Sequence, residues 1–358
     1  MLRLVLLLFL IGTAATLNAQ TPAASATPTP TASPTPTPTS RSLIDSLSTG
    51  DVQKAIDLLK TNYINPDALN DAEIDRSKLE GLLTRLGRGA ALTSTAEANA
   101  PAASFYSDVL SGRVAYLRLG DMTRPNLDAL DKALSGDGAK KIDAAVIDLR
   151  ASTSSNDFDT AAEFAKRFCP KGKTLFTLHK VAARQDRTFT SDREPSFGGL
   201  LIVLADSETS GAAEAVVAVL HANAKALVVG APTAGRAVEY SDFKLSNATI
   251  LRVAIGEAVL PGGARIFPDG VKPDIAVDMP LNEKRDVFQQ SRDKGMAQFV
   301  FEAERPHMNE AALMAGRNPE IDAAEGRRGR GNEKPPLRDP VVQRALDVVT
   351  SIGVYRSR

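Results

Sequence analysis

Residues 199–240 restrict the possible folds of this chain more than any other stretch. They read Gly-Leu-Leu-Ile-Val-Leu-Ala-Asp-Ser-Glu-Thr-Ser-Gly-Ala-Ala-Glu, then an apolar segment, then Ala-Leu-Val-Val-Gly-Ala-Pro-Thr-Ala-Gly-Arg. Leu200 to Leu204 is an unbroken aliphatic run, which suits a strand covered on both faces of a parallel sheet. Thr209, Ser210 and Gly211 make a polar elbow that opens a helix. Apolar positions are almost continuous from Ala212 to Ala222, so this helix is expected inside the domain rather than on its surface. A second strand follows, and strand, elbow, helix, strand is the crossover unit of a parallel sheet. An elbow at the carboxyl end of a buried strand is also where such a fold presents a nucleophile.

The same unit repeats elsewhere. The pattern predicts a strand over Arg113–Leu119, a helix over Pro125–Leu134 with Gly136 beyond its end, a strand over Ala144–Leu149 and a helix over Asp157–Phe168 with an acidic first turn. Thr174–His179 reads as a strand, 181–197 as a charged loop, and 249–259 as a strand running into Leu260-Pro261-Gly262-Gly263. Upstream, residues 48–60 form an amphipathic helix with Val52, Ala55, Ile56 and Leu59 on one face. A second helix, 75–86, is expected to bury Leu79, Leu82, Leu83 and Leu86 and to stop at Gly87. The interval from Gly87 to Gly112 is polar, rich in alanine and without period. Downstream, Leu281–Ala323 reads mainly as helix, 324–337 as a flexible basic linker, and Asp339–Ile352 as a closing helix. The expected fold class is α/β, a mostly parallel sheet crossed by helices. The expected division is a helical lead-in over 42–98, a core over 112–280 and a helical tail over 281–358.

Charge is balanced, with 43 basic and 43 acidic residues, so no global field favours nucleic acid as a partner. Met1-Leu2-Arg3, the apolar run to Leu17 and Asn18-Ala19-Gln20 read as a signal peptide over 1–19, cut after Ala19. The competing reading is an uncleaved anchor in the membrane. Residues 20–41 are Thr-Pro and Ala-Ser repeats, an extended tether that would hold the folded part away from an envelope surface. Cys169 is the only cysteine; it excludes an internal disulfide and is expected to pack as a small apolar side chain. No His, Cys, Asp or Glu cluster has metal-ligand spacing, and no glycine-rich loop follows a strand to cradle phosphate. No metal or other cofactor is expected.

The elbow, together with Asp148-Leu149-Arg150, the 249–263 strand and turn, and Gly270-Val271-Lys272-Pro273-Asp274, resembles the C-terminal processing, or tail-specific, serine peptidases. The resemblance covers roughly Gly112 to Val277 and implies their crotonase-like α/β core. It implies a serine nucleophile in the elbow and a later lysine as general base. Aligned on Glu214 and Gly230, the nucleophile position falls on Gly211, the base position on Arg236 and the base-orienting position on Tyr240. The glycine-rich turn that helps build the family's oxyanion hole falls on Ala151, Ser152, Thr153, Ser154 and Ser155. The PDZ domain that many members carry would have to fit between Gly87 and Gly112, an interval of roughly two dozen residues, too few to build one.

Glycine offers no nucleophile for an acyl intermediate, and arginine stays protonated where a neutral amine is needed. The sequence therefore points to a peptidase fold without its serine-lysine machinery, binding an extended peptide or protein segment. The groove residues of that reading are Ser154, Ser155, Ser210, Gly211 and Arg236, with Arg236 facing a peptide carboxylate. One alternative is an active serine endopeptidase using Ser210 as a displaced nucleophile. Ser210, Thr209 or Ser207 is otherwise expected to cap the helix. A third reading is a non-catalytic regulator of an active paralogue. No histidine base is apparent: His221 lies about 16 Å along the helix from Ser210, and His179 and His307 are remote in sequence. Glu214 reads as a charge favoured by the helix N-terminus, and Lys225 as an exposed residue at the far end. If the leader is cut as read, N-terminal sequencing of protein recovered from the envelope fraction will begin at Gln20; a chain still starting at Met1 would favour the anchor.

Overall fold

The computed structural model of the protein describes residues 40–94, 102–136, 141–153, 156–180, 182–246, 248–300 and 336–356. The signal segment, nearly all of the tether, Ser154, Ser155, His307 and the linker up to residue 335 lie outside the described residues. The chain divides into two compact units, Met1–Arg76 and Ser77–Arg358. Among the described residues no helix is long and apolar enough to cross a membrane.

The first unit holds α1 (Ser40–Asp45), α2 (Thr49–Asn62) and the start of α3 (Asp71–Leu86). Ser48 and Asp51 form a reciprocal capping box at the start of α2, which satisfies N–H groups that the first helical turn leaves free. Neither α2 nor α3 buries a residue. Leu59, Leu79, Leu82 and Leu86 are exposed, and Leu83 is half-buried. The expected burial of these faces is therefore corrected. Periodicity formed the helices, but burial also needs an opposing apolar layer.

The second unit is built from two sheets. Its elements are β1 (Ala90–Ser94), β2 (Tyr106–Leu110), β3 (Val114–Arg118), α4 (Arg124–Ser135), β4 (Ala144–Asp148), α5 (Phe158–Lys166), β5 (Thr174–Lys180) and β6 (Gln185–Thr190). There follow β7 (Leu200–Ala205), α6 (Ala212–Ala224), β8 (Leu227–Gly230), β9 (Val238–Lys244), β10 (Thr249–Val259), β11 (Ile275–Ala276), α7 (Leu281–Lys294) and α8 (Pro340–Arg356). One sheet has the order β11-β8-β7-β4-β3-β2. All its pairings are parallel except the β2/β3 pair at one edge. Its strands alternate strictly between two buried faces. Leu117, Ile147, Val203 and Val228 join α4, α5 and α6 in one core. Tyr116, Val146, Leu204 and Val229 join α7 and α8 in the other. Cover on both faces explains why these strands are continuous apolar runs. It also accounts for α6, buried at every position from Ala212 to Leu220.

The second sheet is wholly antiparallel, in the order β1-β10-β5-β6 with β9 also pairing β10. It adds to the expected parallel sheet and supplies two corrections. The interval 87–112, read as an aperiodic connection, contains β1 and β2, and the loop read over 181–197 contains β6. These strands gain their order from partners distant in sequence, not from local pattern. β1 pairs along β10, and β6 folds back on β5 with Phe189 stacked on Phe176 at 4.6 Å between ring centroids.

The tail is tied to the parallel sheet by buried charge. Arg150, fully enclosed, donates to Asp148 at 2.7 Å and to Asp339 at 2.8 Å. Asp339 also accepts from the Val341 and Val342 amides at the start of α8, and Tyr116 donates to Asp148 at 2.6 Å. Burial pushes the Asp148 carboxyl up, but the charge and hydrogen bonds of Arg150 outweigh it and hold the group below its ordinary value. Its stabilising contribution is thus complete above the unfolded pKa of about 3.9 and is lost as pH falls through the lower folded value. Removing one carboxylate leaves Arg150 incompletely compensated in a dry interior. Asp339→Ala should therefore lower stability in urea by about 3–5 kcal/mol at neutral pH; a change under about 1 kcal/mol would show the triad to be dispensable.

Candidate functional site

The parallel strands β4, β7 and β8 end side by side, and the segments that leave them, 149–153, 206–211 and 231–236, meet there. Ligand sites of open α/β sheets gather at this edge. Each segment is held by backbone bonds to its neighbours. Ser210 N–H donates to the Ser152 carbonyl at 3.0 Å, Ala234 N–H to the Thr209 carbonyl at 3.0 Å, and Ala231 N–H to the Ala205 carbonyl at 3.0 Å. Gly230 permits the last of these. It has φ of 127°, and a Cβ there would lie 2.1 Å from the Ala205 carbonyl oxygen.

The elbow turns at Gly211, whose φ of 68° and ψ of −133° precede the first turn of α6. A residue with a Cβ would hold this conformation at a cost of about 1–3 kcal/mol. Gly211 is itself the N-cap, and no hydroxyl caps the helix. The expectation of a cap at Ser210, Thr209 or Ser207 is therefore corrected. Thr209 is turned the other way, donating through Oγ1 to the Leu149 carbonyl at 3.1 Å and accepting from Asp206 N–H. Ser210 is 8% exposed, and its hydroxyl has no protein partner among the described residues.

Glu214 does the capping and more. Its carboxylate accepts from Gly211 N–H at 3.1 Å, Thr233 Oγ1 at 2.6 Å, Gly235 N–H at 2.7 Å and Arg236 N–H at 2.6 Å. It is fully buried without an ion-pair partner among the described residues. Burial pushes its pKa up, and the four hydrogen bonds oppose that shift without cancelling it. The sequence reading placed Glu214 at a helix N-terminus, which holds, but missed that it binds the 233–236 loop. The spacing between Glu214 and the Thr-x-Gly-Arg run was the available signal. Gly235 lets that loop pass under Pro268, with φ of 65° and a built Cβ 2.0 Å from the Pro268 carbonyl oxygen.

Arg236 therefore has a fixed backbone and an exposed guanidinium with no protein partner among the described residues. It lines a cleft of about 360 Å³ together with Arg88, Thr153, Ser207, Glu208 and Ser210. Arg88 donates to the Pro268 carbonyl, and its own carbonyl accepts from Tyr240 Oη at 2.8 Å. Tyr240, at the expected orienting position, is thus turned onto backbone; burial pushes its phenol up. Glu208 is committed to Lys284 at 2.8 Å and to Arg285. Burial raises its pKa, but these two cations outweigh that and hold it low, which makes it a weak base. Lys284 is buried, donating to the Arg150 carbonyl, Asp206 and Glu208 at 3.0, 2.6 and 2.8 Å.

The histidines stand elsewhere: His179 pairs with Asp186 across the β5/β6 hairpin, and His221 lies 3.3 Å from Asp274. Lys225 is exposed at the left-handed C-cap of α6. Cys169 is buried, its thiol pushed up to about 12 by burial, which makes it unreactive. No group of three or more His, Cys, Asp or Glu is assembled to hold a metal among the described residues. Of the expected groove residues the structure brings Ser210, Gly211 and Arg236 to one place, while Ser154 and Ser155 lie outside the described residues. Glu214→Ala would strand two buried amides, one part-buried amide and one hydroxyl. It should cost at least about 3 kcal/mol and speed hydrogen exchange at the Gly235 and Arg236 amides; unchanged exchange there would show the loop to be held by other means.

Residues 113–277 match the pattern of peptidase family S41. The chain is 31% identical over 164 residues to the chloroplastic carboxyl-terminal-processing peptidase 1 of Arabidopsis thaliana, a match over 45% of this chain and 33% of that one. It is 25% identical over 182 residues to the carboxyl-terminal-processing protease of a Synechocystis species, over 51% and 42% respectively. The chain thus spans well under half the length of these relatives. A solved putative peptidase from Parabacteroides merdae superimposes with a TM-score of 0.48 at 16% identity, covering 78% of this chain and 89% of that one. Residues 113–277 thus match peptidase family S41, and the curated relatives that align with this stretch are carboxyl-terminal-processing peptidases.

Proposed function

We propose that this S41 domain binds an extended peptide or protein segment in the cleft at the elbow and does not cleave it. One observation carries the reading. The elbow keeps a strained turn at the head of α6, yet the residue at its apex is Gly211, with φ of 68° and no side chain. Acyl transfer through this position has no attacking atom. The base position carries a permanent cation, Arg236. The one carboxylate among the described residues lining the cleft, Glu208, is already committed to Lys284 and Arg285. What remains is a polar cleft supplied with hydrogen-bond donors, which suits recognition rather than turnover. The same proposal sets the protein in the periplasm or cell envelope, supported by the signal-like residues 1–19 and the proline-rich stretch over 20–41.

A second reading has one observation in its favour. The Ser210 hydroxyl borders the cleft and lacks a protein partner, as a displaced nucleophile would. It also lacks a base: the ionisable side chains described around that cleft are Arg88, Glu208 and Arg236. The two readings part in one experiment. A fluorophosphonate probe should leave the protein unlabelled, and fluorogenic peptides should remain uncut at any practical enzyme concentration. Labelling or cleavage that disappears in Ser210→Ala would establish the endopeptidase and overturn the binding reading.

A further inference from the structure

The geometry points to a second binding site, separate from the elbow cleft, that takes a small organic acid: a cavity beside α7 in which the buried guanidinium of Arg118 receives the carboxylate and apolar side chains receive the rest. The cavity holds about 290 Å³ and shares no lining residue with the elbow cleft. The site stands independently of the peptide-binding reading.

Three buried cations gather around the Phe288 ring. Lys284 Nζ lies 6.0 Å from its centroid, the Arg150 guanidinium 5.4 Å and that of Arg118 4.2 Å. Two of the three are compensated, Lys284 by Asp206 and Glu208 and Arg150 by Asp148 and Asp339. Arg118 is 2% exposed and has no carboxylate within ion-pair distance among the described residues. Its guanidinium makes only long bonds, to Ser291 Oγ at 3.3 Å and to the Phe288 carbonyl at 3.4 Å. The Tyr106 ring lies 4.6 Å away. Ring faces attract a cation but carry no net charge to offset it. The Tyr106 phenol supplies none either: burial pushes it up to about 12, and its Oη donates to the Ser291 carbonyl at 3.0 Å. Nearby carboxylates are committed elsewhere. Asp108 accepts from Met296 N–H at 2.7 Å, and Asp148, opposite Arg118 in register on β4, spends its oxygens on Arg150 and Tyr116. A buried ion without a counterion is costly, so a site that keeps one is suited to an anion from outside.

The cavity gives that anion a place. Arg118 lines it from β3, and Arg292 of α7, exposed, adds a second positive charge. No carboxylate is among the described residues that line it, and Ala103, Ala151 and Phe288 make the apolar part of the wall. A buried fork of N–H donors set among apolar groups matches a planar carboxylate on an apolar body. The volume, at the small end of ligand sites, limits that body to a single ring or a short chain. Arg118 is also fixed beforehand, since β3 is paired with β2 on one side and β4 on the other. Little ordering is left for the ligand to supply.

The test is isothermal titration calorimetry of the whole protein with benzoate and hexanoate, each beside its neutral amide. The acids should bind with a Kd of about 1 mM or below, and the amides at least about tenfold more weakly. Arg118→Met, which keeps an apolar stem and removes the charge, should abolish acid binding, whereas Arg236→Ala in the elbow cleft should leave it unchanged. Circular dichroism confirms that each variant is folded. Should Arg118→Met fail to fold, Arg118→Lys is read instead; it keeps the charge, loses the fork and should weaken the acids while sparing the amides. Failure of the acids to bind, equal binding of acid and amide, or undiminished acid binding in the folded Arg118 variant each overturns the inference. Loss of acid binding in Arg236→Ala would place the acids in the elbow cleft and overturn it as well. Inorganic phosphate that displaces benzoate at equal concentration would show a general anion site, with the same consequence.

Discussion

The site depends on one buried carboxylate. Glu214 sits in the first turn of α6 with no cation against it among the described residues, and both of its oxygens are spent on neighbouring loops. A lone carboxylate in a dry interior is unfavourable unless hydrogen bonds replace the water it gave up. Here three amides and a hydroxyl do so, and the helix N-terminus adds its partial positive charge. The requirement runs in both directions. The loops need the carboxylate because their N–H groups would otherwise be stranded, and the carboxylate needs the loops because α6 is buried throughout its first turns. Elbow and 233–236 loop are thereby fixed to each other whether or not any chemistry takes place between them.

Scaffold and chemistry are thus separable at this edge, and the elbow is held in place with glycine at its apex. Gly211 relieves the strain that any larger residue would feel at its φ and ψ, so the position is occupied at lower conformational cost than with a serine. Arg236, its backbone held by Glu214, extends its guanidinium into solvent.

Much of the parallel core was legible in the sequence because both its faces are buried. Leu200–Ala205 and residues 144–147 are continuous apolar runs, and the crossover helices between strands carry clear start signals such as Asp157, which caps α5. The antiparallel sheet was not legible in the same way. β1 and β6 are short and largely exposed; what makes them strands is pairing with β10 and β5, and a single chain does not display its partners. The leucines of α3 misled in the opposite direction, since an amphipathic period reports a face and not what covers it. At the site, Gly211 and Arg236 were readable as residues, while the fourfold role of Glu214 was not, because three of its partners are backbone amides without a sequence signature.

Lys284 reaches back from α7 to the floor of the elbow, where it neutralises Asp206 and Glu208 and holds the Arg150 carbonyl. The segment after the core is consequently tied into the edge where the parallel strands end rather than appended to it. Asp206 and Glu208, two residues apart in the same turn, have their charge offset by Lys284 and Arg285 of α7. Any clipping, displacement or partner-induced shift of that helix would be transmitted to the cleft as a surplus of negative charge opposite the two arginines.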